Sequence, residues 1–293
     1  MEINKYIAEK VKYLKRFNDY TQKIKKRSYE IHPDKLSELS LLRGIPLEIL
    51  EQADIFYVER QSELLLPEFI DDLLDFGLIN GLNNAPIFHS RWVIPIKDFD
   101  GNVINYVGYS PTANERYLYG TGKYYDRKND MYGMENYDAA LEIGYAIYVE
   151  GITDCLAMRS VGFTNTFAGC GTMRSDIKMR HLNRMPNGVI FISDRDKAGD
   201  NAMLHWHTNK CIYISICIEL RLKDIDDYIN KDYDEDGINK YVLGFDSAIR
   251  AQRKLDLVET INTAVTWLIN RPAHNTQVLR NREMRDYATL MLM

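Results

Sequence analysis

The 293-residue sequence predicts an α/β protein, and three observations lead to that class. From Tyr145 onward, short apolar runs alternate with helical stretches across tight turns, the pattern of a mainly parallel sheet with helices on its faces. Upstream, helical periodicity gives way at residues 87–109 to a two-strand signature, so an α+β segment precedes that sheet. Downstream, residues 247–270 and 277–292 read as amphipathic helices, with Ile249, Leu255, Val258, Ile261, Val265 and Leu268 on or near one stripe. The expected organisation is an N-terminal subdomain with a basic helical arm over 1–140, a sheet domain over 141–240 and a helical segment over 241–293.

The elements follow in order. Ile7, Val11, Leu14 and Phe17 recur three or four apart, which predicts a helix over residues 1–30. Leu36 and Leu39 begin a second helical stretch, broken at Arg43-Gly44-Ile45-Pro46 and resumed from Leu47 to Leu50. A further helix is expected around Leu66–Phe76, stopped by Gly77. Trp92–Ile96 and Val103–Val107 flank Asp100-Gly101, which reads as a hairpin turn.

Beyond Tyr145 the expected strands are Ala146–Val149, Thr164–Ala168, Val189–Ser193 and Ile212–Ile218. Helices are expected between them at Thr153–Ser160, Ser175–Met185 and Asn201–Asn209. Ligands of such sheets sit at the carboxyl ends of the strands, so the polar residues after each apolar run carry the interest.

Composition excludes several classes. The longest uncharged apolar run, Cys211–Ile218, has 8 residues, far below the ~20 of a membrane span, and the N-terminus has no signal-peptide core. Cys155, Cys170, Cys211 and Cys217 include no CxxC and form no disulfide framework. A cytoplasmic globular protein without a membrane partner is expected. Net charge is −5, yet it is unevenly spread. Lys10, Lys12, Lys15, Arg16, Lys23, Lys25, Lys26 and Arg27 face only Asp19 within residues 10–27, whereas residues 224–236 hold seven acids against Lys231. A basic arm and an acidic locus on one chain suit a phosphate-binding surface beside a metal-binding one, or simply a solvated helix face and a polar loop.

The acids stand where the sheet argument points. Glu150-Gly151-Ile152-Thr153-Asp154 follows the first strand, Asp194-Arg195-Asp196 the third, and Lys223-Asp224-Ile225-Asp226-Asp227 the fourth. Asp194 and Asp196 are two apart, as are Asp224 and Asp226, so each pair projects from one side of extended chain. Such a cluster repels itself, and its natural counter-charge is a hard divalent cation held by oxygens. Mg²⁺ is the expected ion, with Mn²⁺ as the alternative. A pair of such ions could activate a hydroxyl and stabilise a leaving pyrophosphate.

Taken together, Tyr148–Asp154, Ser193–Gly199 and Lys223–Asp227 resemble the Toprim domain shared by DnaG-type primases, topoisomerases, RecR-type repair proteins and some nucleases. Arg91-Trp-Val-Ile-Pro-Ile-Lys-Asp-Phe-Asp-Gly101, Arg116-Tyr-Leu118, Met131-Tyr-Gly133 and Leu41-Leu-Arg-Gly-Ile-Pro46 are similar to the subdomain that precedes Toprim in bacterial and phage primases. The resemblance covers roughly residues 38–235. It implies a DNA primase catalytic core that makes short RNA primers on single-stranded DNA from ribonucleoside triphosphates. It implies catalytic metal ligands at Glu150, Asp194 and Asp196, further ligands at Asp224 and Asp226, and a supporting role for Asp154. A Toprim nuclease or a non-catalytic nucleic-acid-binding adaptor is the alternative.

Two departures stand out. No Cys/His quartet precedes residue 90, so the family's zinc-binding module has no counterpart there and no zinc is expected. The family's Gly-x-Arg after the second strand reads Gly108-Tyr-Ser110. Between Arg116 and Lys128, tyrosines interleave with Arg116, Lys123, Arg127 and Lys128, a composition that suits base stacking and phosphate tracking or a tyrosine-rich surface hairpin. Arg91 joins these as a nucleotide or template contact, because a guanidinium binds oxyanions bidentately. His205, His207 and Cys211 read as packing residues rather than zinc ligands. In the family, the region after Toprim contacts the replicative helicase, which makes residues 241–293 a docking element or a helical cap.

Overall fold

The computed structural model describes residues 2–79, 86–170, 175–194, 211–216, 224–233, 239–241, 248–270 and 289–292. The chain divides into two compact units, Met1–Ser40 with Leu47–Asp126, and Leu41–Pro46 with Arg127–Met293. The expected boundary near 140 therefore lies at Asp126, because Met131-Tyr132 already pairs into the second unit's sheet.

The first unit packs α1 (Glu2–Ile31), the start of α2 (Lys35–Arg43) and α3 (Leu47–Gln52) with a four-stranded antiparallel sheet. Its strands β1 (Phe56–Val58), β2 (Arg91–Lys97), β3 (Val103–Tyr109) and β4 (Tyr117–Tyr119) lie in sequence order. The β2–β3 hairpin turns at Asp98–Asn102, with a bulge between Ile96 and Lys97. Only part of the stripe that the apolar residues of α1 suggest is covered. Ile7 and Val11 are exposed, and burial runs through Leu14, Phe17, Tyr20, Thr21, Ile24 and Ser28. The helix outruns the surface it covers, so its first three turns contribute no core. Phe17 stacks on Phe76 at 4.3 Å and meets Tyr106 edge-on at 5.1 Å. Each such buried ring contributes about 2 kcal/mol of apolar transfer. Where a helix is expected at Leu66–Phe76, a 3₁₀ segment spans Pro67–Asp72. Pro67 lacks the N–H donor, and the tighter turn still buries Phe69, Leu73 and Phe76.

The second unit is a six-stranded sheet in the order β12-β9-β8-β6-β7-β5. Its strands are β5 (Met131–Tyr132), β6 (Tyr145–Val149), β7 (Thr166–Gly169), β8 (Gly188–Ser193), β9 (Cys211–Ile216) and β12 (Thr289–Leu292). All neighbours are parallel except β5 with β7. The strands are apolar at successive positions because both sheet faces are covered. Ala146, Tyr148, Phe167, Val189 and Phe191 pack with residues from α4 (Tyr137–Ile143) and α6 (Asp176–Leu182) on one face. Ile147, Val149, Ile190 and Ile192, also buried, occupy the alternating positions. The helices α5 (Ile152–Ser160), α7 (Ile225–Asn230) and α8 (Ala248–Asn270) and the hairpin β10 (Lys231–Tyr233)–β11 (Asn239–Tyr241) complete the unit. The expected helix at 201–209 lies outside the described residues, as do Cys217, His205 and His207.

The C-terminal part differs most from expectation. Residues 289–292, expected as the end of a helix, form β12, paired in register with β9 from Thr289↔Tyr213 to Leu292↔Ile216. The buried stripe of α8 is Arg250, Arg253, Leu257, Ile261, Ala264 and Leu268, while Leu255 is exposed. Arg250 Nε donates to Ile229 O at 3.3 Å and Arg253 Nη1 to Lys231 O at 2.7 Å. These guanidiniums satisfy carbonyls at the end of short α7, where a helix leaves acceptors orphaned. Helix α8 is thus built into the unit rather than appended to it.

Candidate metal centre

The central strand β6 sends the chain first to β7 on one side and then to β8 on the other. That reversal of strand order makes the carboxyl ends of β6 and β8 the topological switch point, where sheets of this kind bind ligands. Glu150 and Asp194 follow these two neighbouring strands. Glu150 Oε1 accepts the backbone N–H of Asp194 at 3.0 Å, which ties the two strand ends together.

Asp154 enters from the first turn of α5. Its Oδ2 accepts the N–H of Gly151 at 3.0 Å, and its Oδ1 accepts the N–H of Asp226 at 3.2 Å. A Cβ at residue 151 would lie 2.5 Å from Asp154 Oδ2, so a larger residue there would displace the carboxylate from this position. Asp224 caps α7, its Oδ1 accepting the N–H of Asp227 at 2.8 Å. One carboxylate oxygen from each of Asp154, Asp194 and Asp224 lies within 4.8 Å of the others.

The charge cost of this arrangement is visible in the titration of two members. Burial, followed by the charges of Asp224 and Asp194, raises the Asp154 carboxyl well above the ordinary carboxylate range. Arg43 and the Gly151 N–H pull the other way. Asp224 is pushed up to about 6 by burial, then by the charge of Asp227 and that of Asp194. Three carboxylate oxygens gathered this closely fit a hard divalent cation, whose charge would offset their mutual repulsion.

The structure brings together a set slightly different from the expected one. Asp154, expected in support, does bridge α5 to α7 and also joins the cluster. Asp226, expected as a ligand, is fully buried with its Oδ2 on the guanidinium of Arg43. Its Oδ1 accepts Asn230 Nδ2 at 2.7 Å. Its side chain is thereby committed to Arg43 of α2 and Asn230 of α7, because a buried charge needs a partner. Asp196 lies outside the described residues. The sequence pattern marks Arg43 only as part of the Arg43–Pro46 break and the family-like Leu41–Pro46 segment, since apolar periodicity carries no signal for an arginine's distant partner.

The expected nucleic-acid contacts fall in both units. In the first, Arg91 Nη2 donates to Glu115 O at 2.9 Å, and Nη1 to Arg116 O at 3.1 Å and to Gly108 O at 3.4 Å. Burial lowers its pKa somewhat. A Cβ at residue 108 would meet Arg91 Cδ at 2.8 Å, so the glycine lets this side chain lie across β3. Arg91 thus braces the 110–116 loop, and Arg116 is exposed on it. Lys123 pairs with Asp75 at 2.9 Å in a half-exposed bridge. Tyr124 packs against Tyr13 at 4.8 Å, and Tyr117 against Tyr109 at 5.1 Å. In the second unit, Arg127 Nε donates to Cys170 O at 2.7 Å, and both Arg127 and Lys128 are exposed. The basic arm is also partly used internally. Arg16 binds Asp72 at 2.6 Å, Lys23 binds Asp19 and Glu68 at 3.4 Å, and Lys25 shares Asp54 with Lys97.

Among the described residues, no helix is long and apolar enough to cross a membrane. Residues 147–237 match the Toprim-like family. The DNA primase of Aquifex aeolicus is 29% identical over 178 residues, which cover 57% of this chain and 36% of that protein. The chain thus spans little more than a third of this relative. Among solved structures, the E. coli primase catalytic core aligns over 73% of this chain and 74% of its own, with a TM-score of 0.62 and 20% identity. A DnaG primase catalytic domain bound to single-stranded DNA aligns over 75% of this chain and 77% of its own, with a TM-score of 0.61 and 21% identity. The chain is similar in sequence to DnaG-type primases, has the fold of their catalytic core, and carries a Toprim-like match in its second unit.

Proposed function

We propose that the protein is a DNA primase that joins ribonucleoside triphosphates into short RNA primers on a single-stranded DNA template. The observation that carries this reading is the Asp154–Asp194–Asp224 cluster at the reversal point of a Toprim-type sheet. The relative bound to single-stranded DNA supports the choice of template. On this reading Asp154, Asp194 and Asp224 hold a divalent ion, Mg²⁺ or Mn²⁺, and Glu150 belongs to the same locus, with Asp196 assigned as a further ligand from the sequence motif alone. When bound, the ion supplies charge that activates a 3′-hydroxyl and stabilises the pyrophosphate leaving the next nucleotide.

The chain's own residues then act mainly by position. Glu150 fixes the Asp194 backbone, Gly151 and the α7 turn fix Asp154, and the Asp227 N–H fixes Asp224. Little covalent chemistry falls to the protein in phosphoryl transfer, so holding the reactants in line is its chief contribution. Arg116, Lys123, Arg127 and Lys128 offer exposed cations to phosphate, with Arg91 bracing the loop that presents the first. A replicative helicase contacting the C-terminal segment would use the outer side of α8, where Leu255 and Ile269 are exposed. The protein works, on this reading, in the cytoplasm of a bacterial or phage-infected cell.

The test is incubation with single-stranded template, labelled ribonucleotides and Mg²⁺ or Mn²⁺. Ladders of short products are expected. Template fragments instead would identify a nuclease, and template binding with no product a non-catalytic adaptor.

A further inference from the structure

Asp226 and Arg43 form a buried ion pair beside the carboxylate cluster, and neither is a member of it. Arg43 lies in the last turn of α2, followed by Gly44 at φ +65° and buried Ile45. The short stretch Leu41–Pro46 belongs with the second unit although the chain on either side belongs to the first. Its Nη2 contacts Asp226 Oδ2, where the Asp226 side chain is 0% exposed and that of Arg43 12%. Asp226 is also the residue whose backbone N–H reaches Asp154, and its Oδ1 takes the side chain of Asn230 at 2.7 Å. Fixing the Asp226 side chain therefore fixes the turn that carries both Asp224 and the donor to Asp154.

We propose that Arg43 is a positioning residue of the metal centre. By gripping Asp226, it holds the start of α7 against α5 and keeps that carboxylate from swinging into the cluster. The grip suits arginine in particular, since its rigid planar fork restrains a carboxylate in direction as well as distance. The inference rests on the reading that Asp154, Asp194 and Asp224 bind a divalent ion, and not on the reaction performed there.

Charge and position predict opposite outcomes, which makes the idea testable by Mn²⁺ titration of the full chain, followed by electron paramagnetic resonance well below the melting transition. If Arg43 acts by position, Arg43→Met, Asp226→Asn and the double variant each bind Mn²⁺ about tenfold more weakly, as expected when a group that orients metal ligands is lost. The double variant is then no worse than the weaker single, because one tie is broken in all three. Arg43→Lys, which keeps the charge but not the fork, falls between these and the parent. If Arg43 acts only as a nearby charge, Arg43→Met binds Mn²⁺ more tightly and the double variant returns to the parent value. That result overturns the proposal, as does unchanged Mn²⁺ affinity in all folded variants. Should Arg43→Met fail to fold, Arg43→Lys and Asp226→Asn carry the comparison, and parent affinity in both overturns it. Unchanged Mn²⁺ affinity with slower nucleotide incorporation at saturating Mn²⁺ makes Arg43 a substrate contact instead. A parent that binds Mn²⁺ yet makes no primers defeats the primase reading and leaves this inference standing. A parent that binds no Mn²⁺ overturns the metal site itself.

Discussion

Glu150 Oε1 and the backbone N–H of Asp194 meet at 3.0 Å, so a side chain at the end of β6 holds the main chain at the end of β8. Glu150→Gln retains an acceptor oxygen, whereas Glu150→Ala removes it. The first variant should melt close to the parent, and the second should lose about 1–2 kcal/mol, the worth of one hydrogen bond to a charged acceptor. Primer synthesis should fall at least ~10-fold in both, because the negative charge is lost from the locus either way. Denaturant melts with incorporation assays on the pair separate the two roles.

Asp194→Asn removes one of three mutually repelling carboxylates while preserving shape. The metal-free variant should be as stable as the parent or slightly more so. Mg²⁺ should raise the parent's melting temperature by mass action and raise the variant's much less. A variant that loses several kcal/mol without metal would make Asp194 a structural carboxylate.

The raised Asp224 carboxyl gives a pH signature with a definite sign. Its folded value of about 6 lies above the ordinary 3.8, so the folded state binds the proton more tightly than the unfolded chain. The associated stability is fully present below the unfolded value and is lost as pH rises through about 6 in metal-free protein. Mg²⁺ competes with that proton, so its stabilising effect should grow across the same range. Melts at pH 5 and pH 8, with and without Mg²⁺, read both trends; a metal effect larger at the lower pH would contradict the assignment.

Asp54 behaves in the opposite sense. Burial opposes its ionisation, but hydrogen bonds from Lys25 and Lys97 outweigh burial and lower its pKa. The stability it contributes is present above the usual carboxylate value and disappears as pH falls through the lowered one. Lys25→Ala should therefore cost about 1–2 kcal/mol at neutral pH and much less near pH 2, measured by denaturant melts. The same pairing shows that the basic arm is not all available to phosphate. Replacing exposed Lys26 should flatten the salt dependence of single-strand binding by up to roughly 0.7 in log–log slope.

Helix α8 supports the fold directly. Leu257 and Ile261 are each fully buried, and replacing either by alanine should cost about 2–4 kcal/mol. Deleting residues 248–293 should lower the melting temperature of the second unit, checked by calorimetry. A truncated chain that melts like the parent would make the segment an independent appendage.

The parallel sheet and the position of its acids were legible because both follow from local pattern. Apolar runs bounded by turns mark strands buried on both faces, and topology then sends polar residues to the strand ends. Glu150, Asp154, Asp194 and Asp224 are found that way. What remained hidden depends on partners distant in sequence. Half-buried Arg43 and buried Arg250 and Arg253 satisfy a carboxylate or helix-end carbonyls, and apolar periodicity passes over them. The stripe of α1 was legible, but not which turns of it find a surface to cover. Thr289–Leu292 has no alternation to mark it as a strand; β9 beside it decides its conformation.

The pairing of β12 with β9 also constrains how the chain acquires its fold. While the protein is being made, β9 can dock on β8 as soon as it emerges, but its outer edge stays open until Thr289–Leu292 has been synthesised. That edge, Cys211-Ile-Tyr-Ile-Ser-Ile216, carries no charge and no proline to discourage pairing with a neighbouring chain. Until β12 arrives that edge stays available for pairing with a neighbouring chain, and slowing translation across residues 217–288 would lengthen the interval.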